Sequence, residues 1–383
     1  MNPTRAEIDF SKLAYNLQQI RKHINKKSGS KKIKICGVVK ANAYGHGIEP
    51  VSKELADLGV DYLGVANYDE AIKLRKLIPD APILVFGTLI HSKLQPEKYV
   101  SLLLRYNLIA TVASLDTAKF LDEYSGLLGQ KFTVHIEVDT GMKRIGFDVC
   151  RAYKNILQIC SLKNLIVEGI FTHFATSESH SKKFAKEQLS KFKELLNKLK
   201  RKSGIEFSVV HAANSGAVFD LKDSYFNMVR PGLMLYGYKP SGEIKNKIDL
   251  KPIMNFKSKV TFIKKVEAGE SISYGREFYT KKSTFIASVP VGYGDGYWRR
   301  LSNKSKVLIN KKFYSVVGAV TMDWLMVDLG SIHKIKIGDD VLLMGEENGS
   351  RIGADKLAKI GGTIPYEMLC SIADRVERVY ING

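Results

Sequence analysis

Cysteine is scarce in this sequence of 383 residues. Its four cysteines, Cys36, Cys150, Cys160 and Cys370, form no CxxC pair and lack the Cys/His spacing of a zinc site. A disulfide framework is not expected at this length and cysteine density. The sequence therefore predicts reduced, mostly buried thiols and no metal centre.

Long apolar runs are missing as well. A bilayer span needs about 18–20 consecutive apolar residues, and no stretch of the chain approaches that length. The opening MNPTRAEIDF carries charges where a secretory signal needs an apolar segment. We therefore expect a cytoplasmic protein without a membrane partner. No internal repeat or low-complexity linker interrupts the chain, and its length predicts two domains, one of which could be a large barrel.

Acidic residues are outnumbered by basic ones, 39 to 59, which gives a formal net charge of +20. Such a charge is compatible with binding to nucleic acid or to a membrane surface. The lysines, however, are spread along the chain in pairs, and no recognisable nucleic-acid motif accompanies them. We interpret them as a solvated surface and expect no nucleic-acid partner. Their positive field would favour an anionic cofactor or a substrate carboxylate.

Up to about residue 245, short β-branched runs alternate with polar stretches of helical period. The candidate strands are Ile33–Lys40, Tyr62–Asn67, Ile83–Gly87, Ile109–Ala113, Phe132–Glu137, Ile166–His173, Phe207–His211 and Met228–Val229. Alternating strands and helices predict a parallel sheet, and eight such units predict a closed (β/α)8 barrel of the TIM type.

After about residue 245 the pattern changes to short β runs separated by Gly, Asn and Asp turns. This pattern predicts a second, mostly β domain. We expect the barrel to occupy residues 12–245 and the β domain residues 246–383. Residues 1–11, with a candidate strand around Thr4–Asp9, are expected to join the β domain.

Reactive residue types concentrate at the predicted carboxyl ends of the barrel strands, where barrel enzymes place their functional groups. They are Lys40, Glu137, His173, His211, Asn214, Ser215 and Arg230. A lysine that closes an apolar strand is desolvated, which lowers its pKa and frees an amine for Schiff-base chemistry. The alternative for an isolated Lys40 is a strand-end lysine that reaches to water.

The segments AANSGA and VRPGLMLYG follow the seventh and eighth predicted strands. Phosphate sites in such barrels are commonly built from these two loops, with main-chain N–H groups as donors. Ser215 offers a hydroxyl, Gly216 allows close backbone approach, and Gly232 and Leu233 can present N–H groups. We interpret the pair of segments as a phosphate site, and ordinary loop turns are the alternative.

Nine segments of the chain together resemble the alanine racemase family, in that family's order and nearly end to end. VVKANAYGHG resembles its attachment segment for pyridoxal 5'-phosphate (PLP), with Lys40 in the lysine position. The other segments are DTGMKRIG at 139–146, THFA at 172–175, ANSGA at 213–217, VRPGLMLYG at 229–237, SYGREFYT at 273–280, VGYGDGYWR at 291–299, MDW at 322–324 and IPYEMLC at 364–370. One segment alone would be a weak signal, whereas the series is specific.

The resemblance implies that Lys40 binds PLP covalently and assigns further positions to the cofactor. The residues that would contact it are Tyr44, Arg144, His173, Asn214, Ser215, Arg230, Gly232, Leu233 and Tyr366. His173 would lie against the pyridine ring. Arg144, with the main chain at Met322, would also hold the substrate carboxylate.

The resemblance also implies a two-base racemisation, in which Lys40 and Tyr274 remove and return the Cα proton on opposite faces. Tyr274 would come from the other subunit, so a homodimer is expected. Taken alone, Tyr274 is more typical of a buried aromatic with a satisfied hydroxyl. His211, with Arg230 behind it, would lower the pKa of Tyr274. Arg230 would donate to the pyridine nitrogen and keep it neutral, which suits racemisation better than transamination.

Several positions depart from the family pattern. Glu137 stands where some members carry a carbamylated lysine, and we hypothesise that it orients Arg144 by a charge-assisted hydrogen bond. The alternative is a strand residue that faces elsewhere. Lys143 replaces a glycine, and Ala319 and Trp324 replace an arginine and a glutamine at the substrate entrance. The remaining residues assigned to the entrance and its surroundings are Glu178, Tyr293, Arg299 and Asp323.

The expected activity is therefore interconversion of L-alanine and D-alanine, supplying D-alanine for bacterial peptidoglycan. A racemase of serine, lysine or arginine, or a basic amino-acid decarboxylase, is the nearest alternative within PLP barrels. Arg230 disfavours decarboxylation, because that reaction gains from a protonated ring. A non-catalytic PLP-binding barrel is the alternative from another class, and Tyr274, Met322 and Tyr366 in a second domain argue against it.

Overall fold

The computed structural model describes residues 3–28, 32–89 and 96–382. Up to residue 230 its strands are β1 (Arg5–Asp9), β2 (Lys34–Val38), β3 (Tyr62–Val65), β4 (Ile83–Thr88), β5 (Leu108–Val112), β6 (Phe132–Asp139), β7 (Phe147–Asp148), β8 (Leu165–Phe171), β9 (Val209–Asn214) and β10 (Met228–Arg230). The helical segments between them are α1 (Phe10–Ser28), α2 (Lys40–Tyr44), α3 (Ile48–Asp57), α4 (Tyr68–Arg75), α5 (Pro96–Arg105), α6 (Leu115–Leu127), α7 (Val149–Cys160), α8 (Lys183–Ser203) and α9 (Ser215–Asp220).

Strands β2, β3, β4, β5, β6, β8, β9 and β10 form a closed parallel barrel. Neighbouring strands pair in parallel around the ring, and the β5–β6 and β10–β2 pairings complete it. These strands correspond to the eight runs expected from the sequence, so the (β/α)8 barrel is confirmed. The helices between them cover its outer face with their apolar sides, as on α8, where Leu189, Phe192 and Leu199 are buried.

The chain beyond the barrel is mostly β, which confirms the second part of the expected fold. Its strands are β11 (Met254–Lys259), β12 (Phe262–Val266), β13 (Thr284–Val289), β14 (Lys306–Ile309), β15 (Lys312–Val317), β16 (Leu325–Gly330), β17 (Asp340–Glu347), β18 (Ser350–Ile352) and β19 (Glu377–Ile381). Two helices, α10 (Ala354–Gly361) and α11 (Pro365–Cys370), precede the last strand. The domain limits at 12–245 and 246–383 stay predictions.

Strand β1 connects the two parts of the molecule. It lies in the sheet of the second domain, antiparallel to β11 and parallel to β19, and the chain passes directly from it into α1 of the barrel. Ile8 on β1 is fully buried, and the ring of Phe10 stacks on Tyr380 of β19 at 5.5 Å. Burial of these apolar groups fixes the barrel against the sheet.

The expectation of mostly buried thiols is wrong for two of the four cysteines. Cys36 is buried in β2 and Cys160 is half-buried, but Cys150 and Cys370 are exposed. Both exposed cysteines lie at helix ends, Cys150 in the first turn of α7 and Cys370 at the last position of α11. Within the described residues, no helix has the length and apolar character needed to cross a bilayer.

We expect Ile8→Ala to lower the free energy of unfolding by about 2–5 kcal/mol, because it leaves a cavity between β1 and the core. Thermal and urea denaturation followed by circular dichroism measure the loss. Lys22→Ala, an exposed position on α1, is the control and should change stability by less than about 0.5 kcal/mol. An Ile8→Ala protein as stable as this control would show that β1 does not secure the two parts.

Candidate active site

The carboxyl ends of the barrel strands surround a pocket with an empty volume of about 650 Å³. Ten residues expected at the site from the sequence line it: Lys40, Tyr44, Glu137, Arg144, His173, Asn214, Ser215, Arg230, Gly232 and Tyr366. Val38, Phe86 and Phe171 complete the lining and add apolar surface. Tyr366 comes from α11, so the pocket is built by both parts of the chain.

Lys40 projects its amine into this pocket just beyond the end of β2. Burial lowers the pKa of Lys40, and the nearby positive charge of Arg144 lowers it further. A lysine with a lowered pKa holds a larger fraction of free amine at neutral pH. The amine is therefore poised to act as a nucleophile or as a base.

The backbone after Lys40 makes a left-handed turn. Residues 41–44 all have φ between 51° and 54° although none is glycine, and this conformation costs about 1–2 kcal/mol per residue. Hydrogen bonds hold the turn in place: the N–H of Ala41 donates to Glu70 Oε1 at 2.7 Å, and that of Ile48 donates to Asn42 Oδ1 at 2.8 Å. The turn directs Lys40 inward and places Tyr44 against the pocket.

His46 stabilises the same turn through hydrogen bonds to its main chain. Its Nδ1 lies 2.9 Å from the carbonyl oxygens of both Ala43 and Tyr44. Burial lowers the pKa of His46 to about 4, so the ring is neutral and its Nδ1–H is the donor. His46 was not singled out from the sequence, although it lies in the same ten-residue segment as Lys40.

Two glycines leave room on the opposite side of the pocket. A Cβ at Gly232 would lie 2.4 Å from Tyr44 Oη, and one at Gly216 would lie 2.7 Å from Ser177 Oγ. Ser215 Oγ accepts from the N–H of Gly232 at 2.9 Å, which joins the loops after β9 and β10. We call the hydroxyl and N–H groups around Ser215, Gly216 and Gly232 the cradle. Its groups can come this close together because glycine has no Cβ at positions 216 and 232.

Asn214 and Leu233 support this cradle in different ways. Asn214 Oδ1 accepts from Ser177 Oγ at 2.7 Å and from the N–H of Ala217 at 3.1 Å, which caps α9. The side chain of Leu233 is buried and does not line the pocket. Its main-chain N–H donates to no acceptor in the described part of the chain.

Arg230 forms the floor of the pocket. Its guanidinium is buried, with Nη1 2.6 Å from His211 Nδ1, and Nη2 donates to the carbonyls of Thr172 at 2.9 Å and Ala212 at 3.1 Å. Burial lowers the pKa of Arg230 to about 10, which leaves it protonated at neutral pH. Burial and the charge of Arg230 hold the pKa of His211 and of His173 well below 6.5, so both rings are neutral.

Glu137 does not make the hydrogen bond that was expected with Arg144. Within the described residues, no hydrogen bond or ion pair joins the two side chains. Glu137 is buried in β6, whereas Arg144 extends from the exposed loop beyond that strand. Burial raises the pKa of Glu137 to about 7 against the opposing effects of Arg230 and Arg144. The influence of Arg144 on Glu137 is thus electrostatic.

Lys143 occupies a backbone position that favours glycine. Its φ of 56° lies in the left-handed region. Its N–H donates to Asp139 Oδ1 at 3.1 Å, and its Nζ lies 3.4 Å from Asp139 and 3.2 Å from Asp148. These contacts fix the loop that carries Arg144, so the lysine supplies polar anchors where glycine would supply conformational freedom.

Tyr274 and Met322 do not reach the pocket of their own chain. Tyr274 is 73% exposed and Met322 53% exposed, and neither lines the pocket around Lys40. Tyr274 follows Ser273, whose φ is 67°, in a tight turn on the surface of the second domain. In the described chain, Tyr274 and His211 are therefore not in contact, and Tyr274 does not lie in the pocket that holds Lys40 of the same subunit.

The residues expected at the entrance are likewise at the surface. Tyr293 and Arg299 are exposed, and Glu178 borders a larger groove that shares Tyr366 with the pocket. Asp323 pairs with Arg375, whose Nη2 lies 2.8 Å from its Oδ1. Of the two substituted entrance positions, Ala319 is buried and Trp324 is exposed.

Sequence reasoning missed three polar residues behind the pocket, Tyr62, His135 and Glu168. His135 lies two residues before Glu137 on β6, and alternation along a strand puts both on the inner face. That spacing could have identified His135. Glu168 gave no comparable signal, because a glutamate in the middle of a strand is more typical of a solvent-facing position.

The fold and the site together define an amino-acid racemase of the two-domain barrel type. The family model described as "Alanine racemase, N-terminal domain" matches residues 8–240, and "Alanine racemase, C-terminal domain" matches residues 253–380. The chain therefore belongs to the alanine racemase family.

Curated relatives and solved structures agree with this assignment. The chain is 41% identical to alanine racemase 2 of Caldanaerobacter subterraneus, covering 100% of this chain and 95% of that protein. It is 43% identical to alanine racemase 1 of Clostridium acetobutylicum, covering 100% and 96%. The alanine racemase of Clostridium difficile 630 superposes with a TM-score of 0.90 at 40% identity, covering 100% of this chain and 96% of that one. A second structure of that enzyme is a complex with cycloserine.

The raised pKa of Glu137 gives a pH-dependent stability in protein without added cofactor. The folded state favours the protonated carboxyl, so the stabilising contribution is present below pH 4.5 and is lost as the pH rises through about 7. We expect wild type to lose up to about 3 kcal/mol relative to Glu137→Gln across this window. Urea denaturation at several pH values measures it. The exposed-site control Glu123→Gln should change stability by less than about 0.5 kcal/mol. A difference between wild type and Glu137→Gln that does not vary with pH would contradict the burial effect.

Proposed function

We propose that this protein interconverts L-alanine and D-alanine with PLP bound at Lys40, and that it supplies D-alanine for bacterial peptidoglycan. One observation carries the proposal: a lysine amine of lowered pKa lies in the same pocket as the glycine-closed cradle at Gly216 and Gly232. The amine suits covalent attachment of an aldehyde. The cradle suits a dianionic phosphate, because its hydroxyl and N–H groups converge where side chains would clash.

The residues present fit PLP in chemical type as well as in space. Tyr44, Ser215, Tyr366 and the free N–H of Leu233 would hold the phosphate, and His173 would lie against the ring. When bound, PLP supplies a conjugated system that accepts the electron pair left at Cα after the proton leaves. The surrounding residues would hold the cofactor and move the proton.

Arg230 would set the protonation of the pyridine nitrogen. Arginine has only donors, so an acceptor facing it must keep its lone pair. With a pKa of about 10, Arg230 stays protonated at neutral pH. By keeping this nitrogen neutral, Arg230 would weaken the cofactor as an electron sink. That would favour return of the proton to Cα over transamination or decarboxylation.

Two bases would exchange the Cα proton on opposite faces of the substrate. Lys40 would serve one face, and Tyr274 of the partner subunit would serve the other. The high exposure of Tyr274 and its distance from the pocket of its own chain support a homodimer with shared sites. Arg144 and the main chain at Met322 would hold the substrate carboxylate. The four free cysteines suit a reducing compartment, and we include a cytoplasmic location in the proposal.

The first test is to incubate the PLP-loaded protein with L-alanine in heavy water. We expect D-alanine that carries deuterium at Cα, because the returned proton comes from an exchangeable base. Chiral chromatography with mass spectrometry measures both products. Lys40→Ala should abolish the reaction, whereas Lys22→Ala, on the surface of α1, should not affect it. PLP binding without formation of D-alanine would overturn the alanine assignment and direct attention to other amino acids.

The shared site is tested by mixing inactive subunits. Lys40→Ala and Tyr274→Phe homodimers should each be almost inactive. Co-expression of the two variants should restore about a quarter of wild-type activity, because half of the dimers are mixed and each mixed dimer holds one intact site. The measurement is the racemisation rate per total subunit. No recovery on co-expression would place Tyr274 in the site of its own chain and contradict the proposal.

A further inference from the structure

A row of polar side chains passes through the interior of the barrel beneath the pocket. His211 Nδ1 lies 2.6 Å from Arg230 Nη1, and His211 Nε2 lies 3.0 Å from His135 Nδ1. His135 Nε2 lies 3.0 Å from Glu168 Oε2, and the hydroxyl of Tyr62 donates to Glu168 Oε1 at 3.1 Å. We call these five residues the buried polar row. They come from five strands, β10, β9, β6, β8 and β3.

The row runs from the pocket towards the opposite end of the barrel. Arg230 ends β10 at the pocket, whereas Tyr62 begins β3 at the amino-terminal edge. His135 and His211 are fully buried, and the side chain of Glu168 is 27% exposed. Only the far end of the row therefore reaches water. Lys34, the first residue of β2, lies with its Nζ 5.4 Å from the centre of the Tyr62 ring.

The hydrogen bonds allow only one arrangement of protons. Arg230 can only donate, so His211 must accept at Nδ1 and carry its proton on Nε2. That proton needs an acceptor, so His135 must accept at Nδ1 and carry its own proton on Nε2. His135 then donates to Glu168, which accepts a second bond from Tyr62. From Arg230 to Glu168 every donor points away from Arg230, and Tyr62 donates to Glu168 from the other end of the row.

The charge states agree with this arrangement. Burial lowers the pKa of His135, with Arg230 and Lys34 adding to the effect against the opposing hydrogen bond to Glu168. Burial likewise keeps His211 neutral. The hydrogen bond from His135 holds the pKa of Glu168 below its usual value, so Glu168 is ionised. The row thus has a positive end, two neutral rings and a negative end.

Arg230 is not paired directly with a carboxylate in the described part of the chain. Within the described residues, no carboxylate oxygen lies within 4.0 Å of its guanidinium. The ring of Phe171 stacks on His211 at 4.6 Å and lies 5.3 Å from the guanidinium carbon, so the ring of His211 cannot turn without disturbing its neighbour. The proton on His211 Nε2 is therefore held from two sides, by the donor Arg230 at Nδ1 and by the acceptor His135, itself bonded to Glu168, at Nε2.

We propose that Glu168 and His135 are positioning residues, which hold His211 in the one tautomer that orients Arg230 towards the cofactor ring. The inference rests on the proposed function, because it assigns Arg230 to that ring. Neither residue lines the pocket around Lys40. Removal of the hydrogen-bond partners behind metal-ligating histidines typically costs about 10–100-fold in affinity or activity, and we expect a comparable effect here.

The test compares three single variants. Glu168→Leu removes both the charge and the acceptor, and Glu168→Gln removes the charge but keeps an amide oxygen as acceptor. Tyr62→Phe is the matched control, because it deletes one hydrogen bond to Glu168 and leaves the acceptor for His135 intact. All three are compared by melting temperature, by the absorption spectrum of bound PLP and by kcat and KM for alanine.

The decisive readout is the tautomer of His211 and His135, measured by 15N-histidine NMR on protein without substrate. Wild type and Tyr62→Phe should show both rings protonated at Nε2. Glu168→Leu should lose this state, shift the absorption spectrum of bound PLP and lower kcat about 10-fold or more with little change in KM. Glu168→Gln should keep the tautomers and retain most of the activity.

Unchanged tautomers, with kcat of Glu168→Leu within about two-fold of wild type, would overturn the proposal. A lower melting temperature of Glu168→Leu without any change of tautomer in the folded protein would also overturn the proposal, since that is the result expected of a purely structural role. If Glu168→Leu does not fold, changed tautomers in Tyr62→Phe or in Glu168→Gln would contradict the stated arrangement. Failure of wild type to racemise alanine would overturn the proposed function, and the tautomer measurement would still decide the inference.

Discussion

The active-site face of the barrel depends on a buried guanidinium. Arg230 ends β10, and its donors reach the carbonyls of Thr172, the first residue after β8, and of Ala212, two residues before the end of β9. A buried charge is stable only when its hydrogen bonds are satisfied, so these three strand ends are held in one relative arrangement. The residues that follow them, His173 and Asn214 among others, take their places in the pocket from this arrangement. The same group that would set the electronic state of the cofactor thus also organises the site.

The lysine is placed by a different device, a strained turn held by its surroundings. Four consecutive non-glycine residues in left-handed conformation would not persist in an isolated peptide. They are retained because Glu70, Asn42 and His46 satisfy the turn's backbone and because the segment packs beneath α11. At Gly45, a Cβ would lie 2.3 Å from the carbonyl oxygen of Leu369. Strain of this kind is found at functional sites that a rigid scaffold over-determines.

The sequence predicted the barrel well because its parallel strands are buried on both faces and appear as continuous β-branched runs. It predicted the pocket lining because those residues follow the strands directly, at the face where barrels place their chemistry. It missed Glu168 because a glutamate inside a strand is ordinarily solvent-facing, whereas His135 could have been found from its spacing of two residues before Glu137 on the same strand. It expected mostly buried thiols, but Cys150 and Cys370 lie at helix ends, where local sequence does not determine exposure.

Both domains contribute side chains to the pocket. Tyr366 reaches the pocket from α11, while Tyr44 reaches it from the barrel, and the two rings lie 5.8 Å apart. A barrel without the second domain would therefore lack one wall of the cradle, in addition to Tyr274 and Met322. Strand β1 pairs with β11 and β19 before the chain enters the barrel. The relative position of the two domains is therefore fixed by the amino-terminal strand. A non-catalytic cofactor-binding barrel has no need of this arrangement. The proposed enzyme would bring a base from a second subunit, and it would need the β domain held rigidly against the site that this domain completes.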